Sequence, residues 1–332
     1  RTDVNGERQT GFMVMQGTQH NGERRSSNRA FIEPIRSQRR NLKVVTNVRV
    51  TEVLIHNETK EAYGVKYAFE KDRGETGTIF TDKEVVISAG PISSAQILML
   101  SGIGPKEVLE GVGIPVMKEL RVGENLHDHL GSYGLNFKTI NNASTIPSDA
   151  EVVEDFQNYF KRKRSGPLSA TGVNQLEGYG KSRYIPGDVD YPDFQFMTYS
   201  GIEQSESCNA SSGKRALAYY NILYYDVINL NPEYRGNIRL SSKDPFAMPI
   251  ISPNPFSKQD KDVIIDGLNF GLHISQTKAA KKAGIILDTT PGVGCEEKTF
   301  ATIDYWLCLI ENYTDCGAHV GGTCKMGPSE DP

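Results

Sequence analysis

The sequence predicts a chain of mixed α/β and α+β class, and three observations lead there. Glu84 to Pro105 compresses an apolar strand, a glycine turn and a helix into one short stretch. Residues 42–80 alternate apolar and polar side chains as a strand meander does. Farther along, long runs rich in Tyr, Val, Ile and Leu read as strands and precede an amphipathic helix pattern.

At 332 residues the chain has room for one large or two medium domains with a substantial core. Its net charge of -4 and pI near 6.0 supply no general attraction to nucleic acid or to an anionic membrane. No run of about 18 apolar residues occurs, so no membrane-spanning segment is expected. The chain opens at Arg1 without an initiator Met or a signal-like apolar stretch, which suggests part of a longer protein.

From the beginning, residues 1–31 are polar and glycine-punctuated, and Arg24, Arg25, Arg29, Arg36, Arg39, Arg40 and Lys43 make the early chain basic. A solvated face is the expected reading, because the aromatic interleaving of a nucleic-acid surface is missing. Leu42–Val48 and Val50–Ile55 are expected as a strand or strand pair, with further strands at Ala62–Phe69 and Thr76–Phe80 around a turn at Asp72–Gly74. Val85, Val86 and Ile87 form a β-branched run suited to a strand covered on both faces. Gly90 lets another group approach the backbone, and Pro91 suits the first position of a helix over Ile92–Leu100. The N-terminus of that helix is a natural place for a nucleotide or other anion.

Lys106–Gly111 reads as a short helix and Val122–His129 as a loop entered by a glycine. His127, Asp128 and His129 invite comparison with a metal site, but no third ligand stands at useful spacing and no metal is expected. Ala150–Lys163 is a predicted helix whose cationic end, Lys161–Arg164, suits a helix C-terminus. Strands follow at Phe194–Thr198, Ala216–Ile228 and Gly236–Leu240, then amphipathic helices at Asp262–Ala280 and Thr299–Glu311. Of five cysteines, Cys295 precedes the last helix and Cys308 lies within it, and the two are either bridged or buried as free thiols. Sequons at Asn57, Asn142, Asn209 and Asn312 lean toward an extracellular location.

Three segments carry a family likeness, in order: GPISSAQILMLSGIG from Gly90, VGENLHDH from Val122 and HVGGTCKMGP from His319. Together they resemble the glucose-methanol-choline (GMC) oxidoreductases, flavoenzymes that oxidise alcohols with FAD. The wording of NGERRSSNRAF and YWLCLIENYT is most similar to the insect glucose-dehydrogenase-like branch. The resemblance implies a partial FAD-binding domain in residues 1–130, interleaved with substrate-domain segments. It implies a substrate domain with a large antiparallel sheet and flanking helices in 131–300, and a return to the FAD-binding domain in 301–332. It assigns His319 as catalytic base, and places Val50, Ala89 and Gly90 at the adenine end of FAD, with Asn125 and His127 as further cofactor contacts. The implied partners are a small alcohol or sugar and an electron acceptor, a quinone or oxygen. The family's GxGxxG fingerprint is absent, and so is the second His or Asn that follows the catalytic histidine. The chain is therefore expected to be an internal piece of a flavoenzyme. A non-catalytic binding module of the same fold and a flavin-containing hydroxynitrile lyase are the alternative readings.

Overall fold

The computed structural model describes residues 3–140, 144–171, 174–202, 218–254 and 256–328. The chain packs as two compact units, each assembled from separate stretches. Residues 1–40, 129–232 and 256–317 make the first, and residues 41–128, 233–255 and 318–332 the second.

In chain order, β1 (Gly11–Val14) precedes a small hairpin of β2 (Gln19–His20) and β3 (Glu23–Arg24). An antiparallel meander follows: β4 (Val48–Ile55), β5 (Ala62–Phe69) and β6 (Thr76–Phe80). After α1 (Gly90–Leu100) come β7 (Ile103–Gly104), α2 (Lys106–Gly111) and β8 (Lys118–Glu119), the two short strands pairing in parallel. Next are β9 (Leu130–Thr139), α3 (Asp149–Gln157), β10 (Asn174–Gly180), β11 (Phe194–Gly201) and β12 (Ile222–Asn229). β13 (Asn237–Arg239) and β14 (Ile250–Ser252) form a hairpin. The chain continues with α4 (Lys258–Ser275), α5 (Lys278–Ala283), β15 (Ile285–Asp288), α6 (Ile303–Tyr313) and β16 (Thr314–Cys316).

The first unit is built on one antiparallel sheet in the order β1-β10-β11-β12-β9-β15, with β16 also on β9. One face is the core: Leu135, Phe137, Phe196, Tyr225 and Val227 pack on Ile264 and Leu268 of α4 and Trp306 of α6. Truncating any such fully buried aromatic to Ala costs about 3–5 kcal/mol. Where β9 meets β12, Leu135 faces Tyr225 and Tyr133 faces Asp226, so Gly134 is an extra, bulged residue. A Cβ at Gly134 would overlap Leu268, so glycine lets α4 press onto the strand. β15 pairs with residues 136–139 of β9 and β16 with residues 130–132. The chain leaves and re-enters the sheet between them. Cys295 and Cys308 are bridged at a Cα separation of 6.0 Å, which settles the alternative left by the sequence. A loop this short is worth about 3 kcal/mol when closed by a disulfide, a bond of oxidising compartments.

In the second unit the meander leans on α1 through Ser101, whose hydroxyl accepts from the Val53 N–H at 2.8 Å and donates to the Ile97 carbonyl at 2.6 Å. Ala95 and Met99 of α1, Leu109 of α2, Val122, Leu126 and Ile238 of β13 form its core.

Several elements differ from expectation, each for a local reason. Val85–Ile87 is not a strand: no described strand pairs with it, and Val86 is 75% exposed. A β-branched run makes a ladder only where a neighbour supplies hydrogen bonds. The strand expected at Leu42–Val48 begins at its last residue, Val48. The long helix expected over Asp262–Ala280 is two helices. Ser257 starts α4 earlier through a capping box with Asp260, and Thr277 caps α5 separately. Thr302 caps α6 and moves its start to Ile303. Among the described residues of the strand expected at Ala216–Ile228, β12 begins at Ile222, Ala216 and Leu217 lying outside the described residues; α3 begins at Asp149 because Ser148 forms a capping box with Glu151. Asn142, Cys208 and Asn209 lie outside the described residues. Within the compact units, residues 1–40 belong with the large sheet and 233–255 with the meander.

Candidate active site

The loop from Val122 to Asp128 and the segment from Ala318 to Thr323 are bound to each other in the second unit. The His127 N–H donates to the Gly321 carbonyl at 3.2 Å, and the Gly321 N–H returns to the His127 carbonyl at 2.9 Å. The Gly123 N–H reaches the Thr323 carbonyl at 2.8 Å, and the Thr323 hydroxyl donates to the Pro91 carbonyl at 2.6 Å. The segment is thereby fastened to the first turn of α1.

His319 is held by its backbone. Its N–H donates to Asp128 Oδ1 at 2.7 Å, and Asp128 is buried. Asp128 is itself clamped by Tyr234, whose hydroxyl accepts from the Asp128 N–H at 2.7 Å and donates to the Asp128 carbonyl at 2.6 Å. The His319 residue as a whole is exposed. Neither Asp128 nor Tyr234 was singled out for this role by the sequence. Asp128 drew notice only within His-Asp-His, and nothing marks a tyrosine 106 positions away as its partner.

Asn125 stands at φ 61°, a left-handed position that Asn tolerates. Its Nδ2 donates to the Gly322 carbonyl at 3.2 Å, and its Oδ1 accepts from Arg235 Nε at 2.9 Å. His127 Nδ1 lies 3.2 Å from the Asn125 carbonyl, which can only accept, so the contact is that of an Nδ1–H donor. Gly322, at φ 86°, packs so closely that a Cβ would overlap the Asn125 carbonyl and sit 2.6 Å from His127 Nδ1. At Gly321 a Cβ would meet nothing nearer than His127 Nε2 at 3.5 Å, an ordinary contact. Gly322→Ala is therefore expected to lower stability by about 1–3 kcal/mol, and Gly321→Ala by much less. Thermal unfolding of the pair checks this; equal losses would contradict the close approach at Gly322.

Val50 and Ala89 come together across a cavity of about 350 Å³, with Arg49, Ser93 and Gln96 among its other walls. Gly90 follows at φ 76°, with open space where a Cβ would point. The Ala89 N-cap has no side-chain hydrogen bond to the helix, so the first N–H groups of α1 lack a cap. Val50, Ala89 and Gly90 are thus neighbours, while Asn125 and His127 belong to the His319 loop pair.

The first unit holds a second arrangement, against the large sheet and Tyr305 and Leu309 of α6. Tyr133, Asn136, Tyr199 and Tyr224 line a cavity of about 680 Å³. Asp226 faces Tyr133 across the strands and shares its side of β12 with Tyr224. It is 4% exposed, and Oδ1 is buried without a hydrogen-bond partner among the described residues. Burial pushes its carboxyl up to about 7, and the neighbouring Asp315 carboxylate adds to the rise. Burial, then Asp226, Tyr199, Asp315 and Cys316, raise the Tyr133 hydroxyl above its ordinary value.

A family model described as GMC oxidoreductase matches residues 1–131, and a second with the same description matches residues 232–332. Glucose dehydrogenase (FAD, quinone) of Drosophila melanogaster is 37% identical over 99% of this chain and 51% of its own length. Oxygen-dependent choline dehydrogenase of Staphylococcus aureus is 33% identical over 99% of this chain and 54% of its own. Among solved structures, a formate oxidase superposes with a TM-score of 0.74 at 20% identity, covering 94% of this chain and 56% of that one. Pyridoxine 4-oxidase from Mesorbium loti superposes at 0.71 and 19% identity, covering 98% and 56%. These two likenesses are of fold. The chain spans about half the length of the relatives it matches.

Proposed function

The chain belongs to the GMC oxidoreductase family, and from that membership we propose that, within its whole protein, it takes part in oxidising a CH–OH group of an alcohol or sugar with FAD. The observation that carries the reading is the seat of His319. A buried carboxylate holds its backbone at 2.7 Å, on a segment fastened at Thr323 to the start of α1. Such anchoring fixes the backbone of the base on a residue that is exposed as a whole, within reach of a substrate hydroxyl. A neutral imidazole nitrogen is a proton acceptor, and in this reading it takes the hydroxyl proton as hydride leaves the carbon.

FAD, when bound, supplies the two-electron acceptor for that hydride. The residues present fit its adenine end. Val50 and Ala89 bound a cavity, Gly90 has open space in place of a side chain, and the uncapped first turn of α1 offers N–H groups to a polar edge. Asn125 and His127 add contacts from the His319 loop pair. The final electron acceptor is a quinone or oxygen.

The test is to load the whole protein with FAD, remove the free cofactor and follow the visible absorbance as alcohols and sugars are added. A retained flavin band that bleaches with one of them supports the reading. Retained flavin that never bleaches, with cyanide released from mandelonitrile, would replace it with lyase chemistry. Failure to retain flavin at all would leave a binding module.

A further inference from the structure

The helical stretch that runs from α3 through residue 162, in the first unit, has two unlike faces. On one, the hydroxyl of the buried Tyr219 donates to Asp155 Oδ2 at 2.5 Å, and the Tyr159 hydroxyl donates to the Gly22 carbonyl at 2.9 Å. Asp155 and Tyr159 are one turn apart, so they fix which side of the helix meets the protein. Val153, Phe156 and Phe160 follow the i, i+3, i+7 spacing of another side and are 56%, 46% and 69% exposed. The two phenylalanine rings stack at 5.8 Å, which makes their apolar surface continuous. No residue of the stretch is buried, so these rings do not serve the core.

The same stretch ends in Lys161, Arg162, Lys163 and Arg164, all exposed. Glu154 holds Arg162 at 2.6 Å and Glu23 holds Arg164, while Lys161 and Lys163 have no acidic partner among the described residues. The acids of the first turn, Asp149 and Glu151, are distant: Glu151 lies about 15 Å from Lys161 along the axis. A helix C-terminus favours a cation through its dipole, but that does not account for four in succession in a chain of net charge -4. Nor does it account for exposed rings on the turn before them. A polyanion would use the cations and leave the rings idle. A lipid surface uses both, because rings enter the acyl boundary while lysines lay their stems on it and keep their ammonium groups at the phosphates.

We propose that the end of this helix, Phe156 and Phe160 with Lys161 and Lys163, docks the protein reversibly on an anionic phospholipid surface. The helix lies at the surface; no described helix is long and apolar enough to cross a membrane. The inference stands apart from the oxidative reading, since binding is measured without substrate.

The test is flotation of the whole protein with vesicles of phosphatidylcholine alone and of phosphatidylcholine with about 30% phosphatidylserine. The mixed vesicles are expected to carry at least about tenfold more protein at low salt, and most of that difference should vanish at about 0.5 M salt. Lys161→Gln with Lys163→Gln is expected to weaken binding to the mixed vesicles by about ten- to thirtyfold. Phe156→Ser with Phe160→Ser is expected to weaken it by about tenfold. All four side chains are exposed, so the melting temperature of both double variants should hardly move. Equal binding to the two kinds of vesicle overturns the proposal. So does a phenylalanine variant that floats like wild type, which with retention on heparin would make the patch a polyanion site. A dimer in solution that the phenylalanine variant splits would assign the rings to a second copy, and overturns it as well.

Discussion

In the flavin-loaded whole protein, His319→Gln is expected to lower kcat by about 10²- to 10⁴-fold while substrate affinity changes little. Glutamine keeps a hydrogen-bonding side chain of similar reach but takes up no proton. The backbone N–H that Asp128 holds is untouched by the substitution. The segment should therefore stay in place, and the melting temperature with it. Stopped-flow reduction of the flavin by substrate separates this from slowed product release. A His319→Gln protein reduced at the wild-type rate would remove His319 from proton transfer, and the base would have to be sought elsewhere.

A second large effect is expected from pH, through Asp226. Its folded carboxyl titrates at about 7, against an ordinary value of 3.8. Between those limits the folded chain keeps a proton that the unfolded chain has lost. Stability therefore falls as pH rises through that window and levels off above it. At about 1.4 kcal/mol per pH unit, the whole window amounts to about 4 kcal/mol. Asp262 and Asp288 are held below the usual carboxylate range, first by hydrogen bonds from Lys258 and from Thr290 respectively, and they lose stability in the opposite direction on acidification. The informative quantity is thus the difference between wild type and Asp226→Asn. Denaturant unfolding at pH 5 and pH 7.5 should show wild type gaining on the variant in acid. Parallel pH profiles would mean that Asp226 is not held protonated.

Much of the framework could be read from the sequence because it depends on near neighbours. β5, β6 and α2 lie where alternation and spacing put them, and the turn at Asp72–Gly74 is closed by the Asp72 carboxylate accepting from the Gly74 N–H at 3.1 Å. Caps were legible in principle: Ser257 with Asp260, Ser148 with Glu151 and Thr302 each mark a helix start that apolar periodicity alone misplaced. Val85–Ile87 was misread because a run of β-branched residues states a preference and says nothing about a partner strand. The surroundings of His319 were hidden for a related reason. Asp128 and His319 are 191 positions apart, and local pattern carries no information about such a pair. Asp226 was passed over altogether: it sits in an apolar strand where alternation suggests a surface residue, and only the bulge at Gly134 and the neighbouring strands show that it is buried.

The bond between Asp128 and the His319 backbone also sets an order of events during synthesis. At about 5–20 residues per second, the ribosome needs roughly 10–40 s after releasing Asp128 to deliver its partner. Over that interval the Asp128 carboxylate cannot receive the N–H it binds in the finished molecule, and the loop pair cannot close. A ribosome that stalls short of His319 therefore leaves a nascent chain in which this loop pair cannot yet exist.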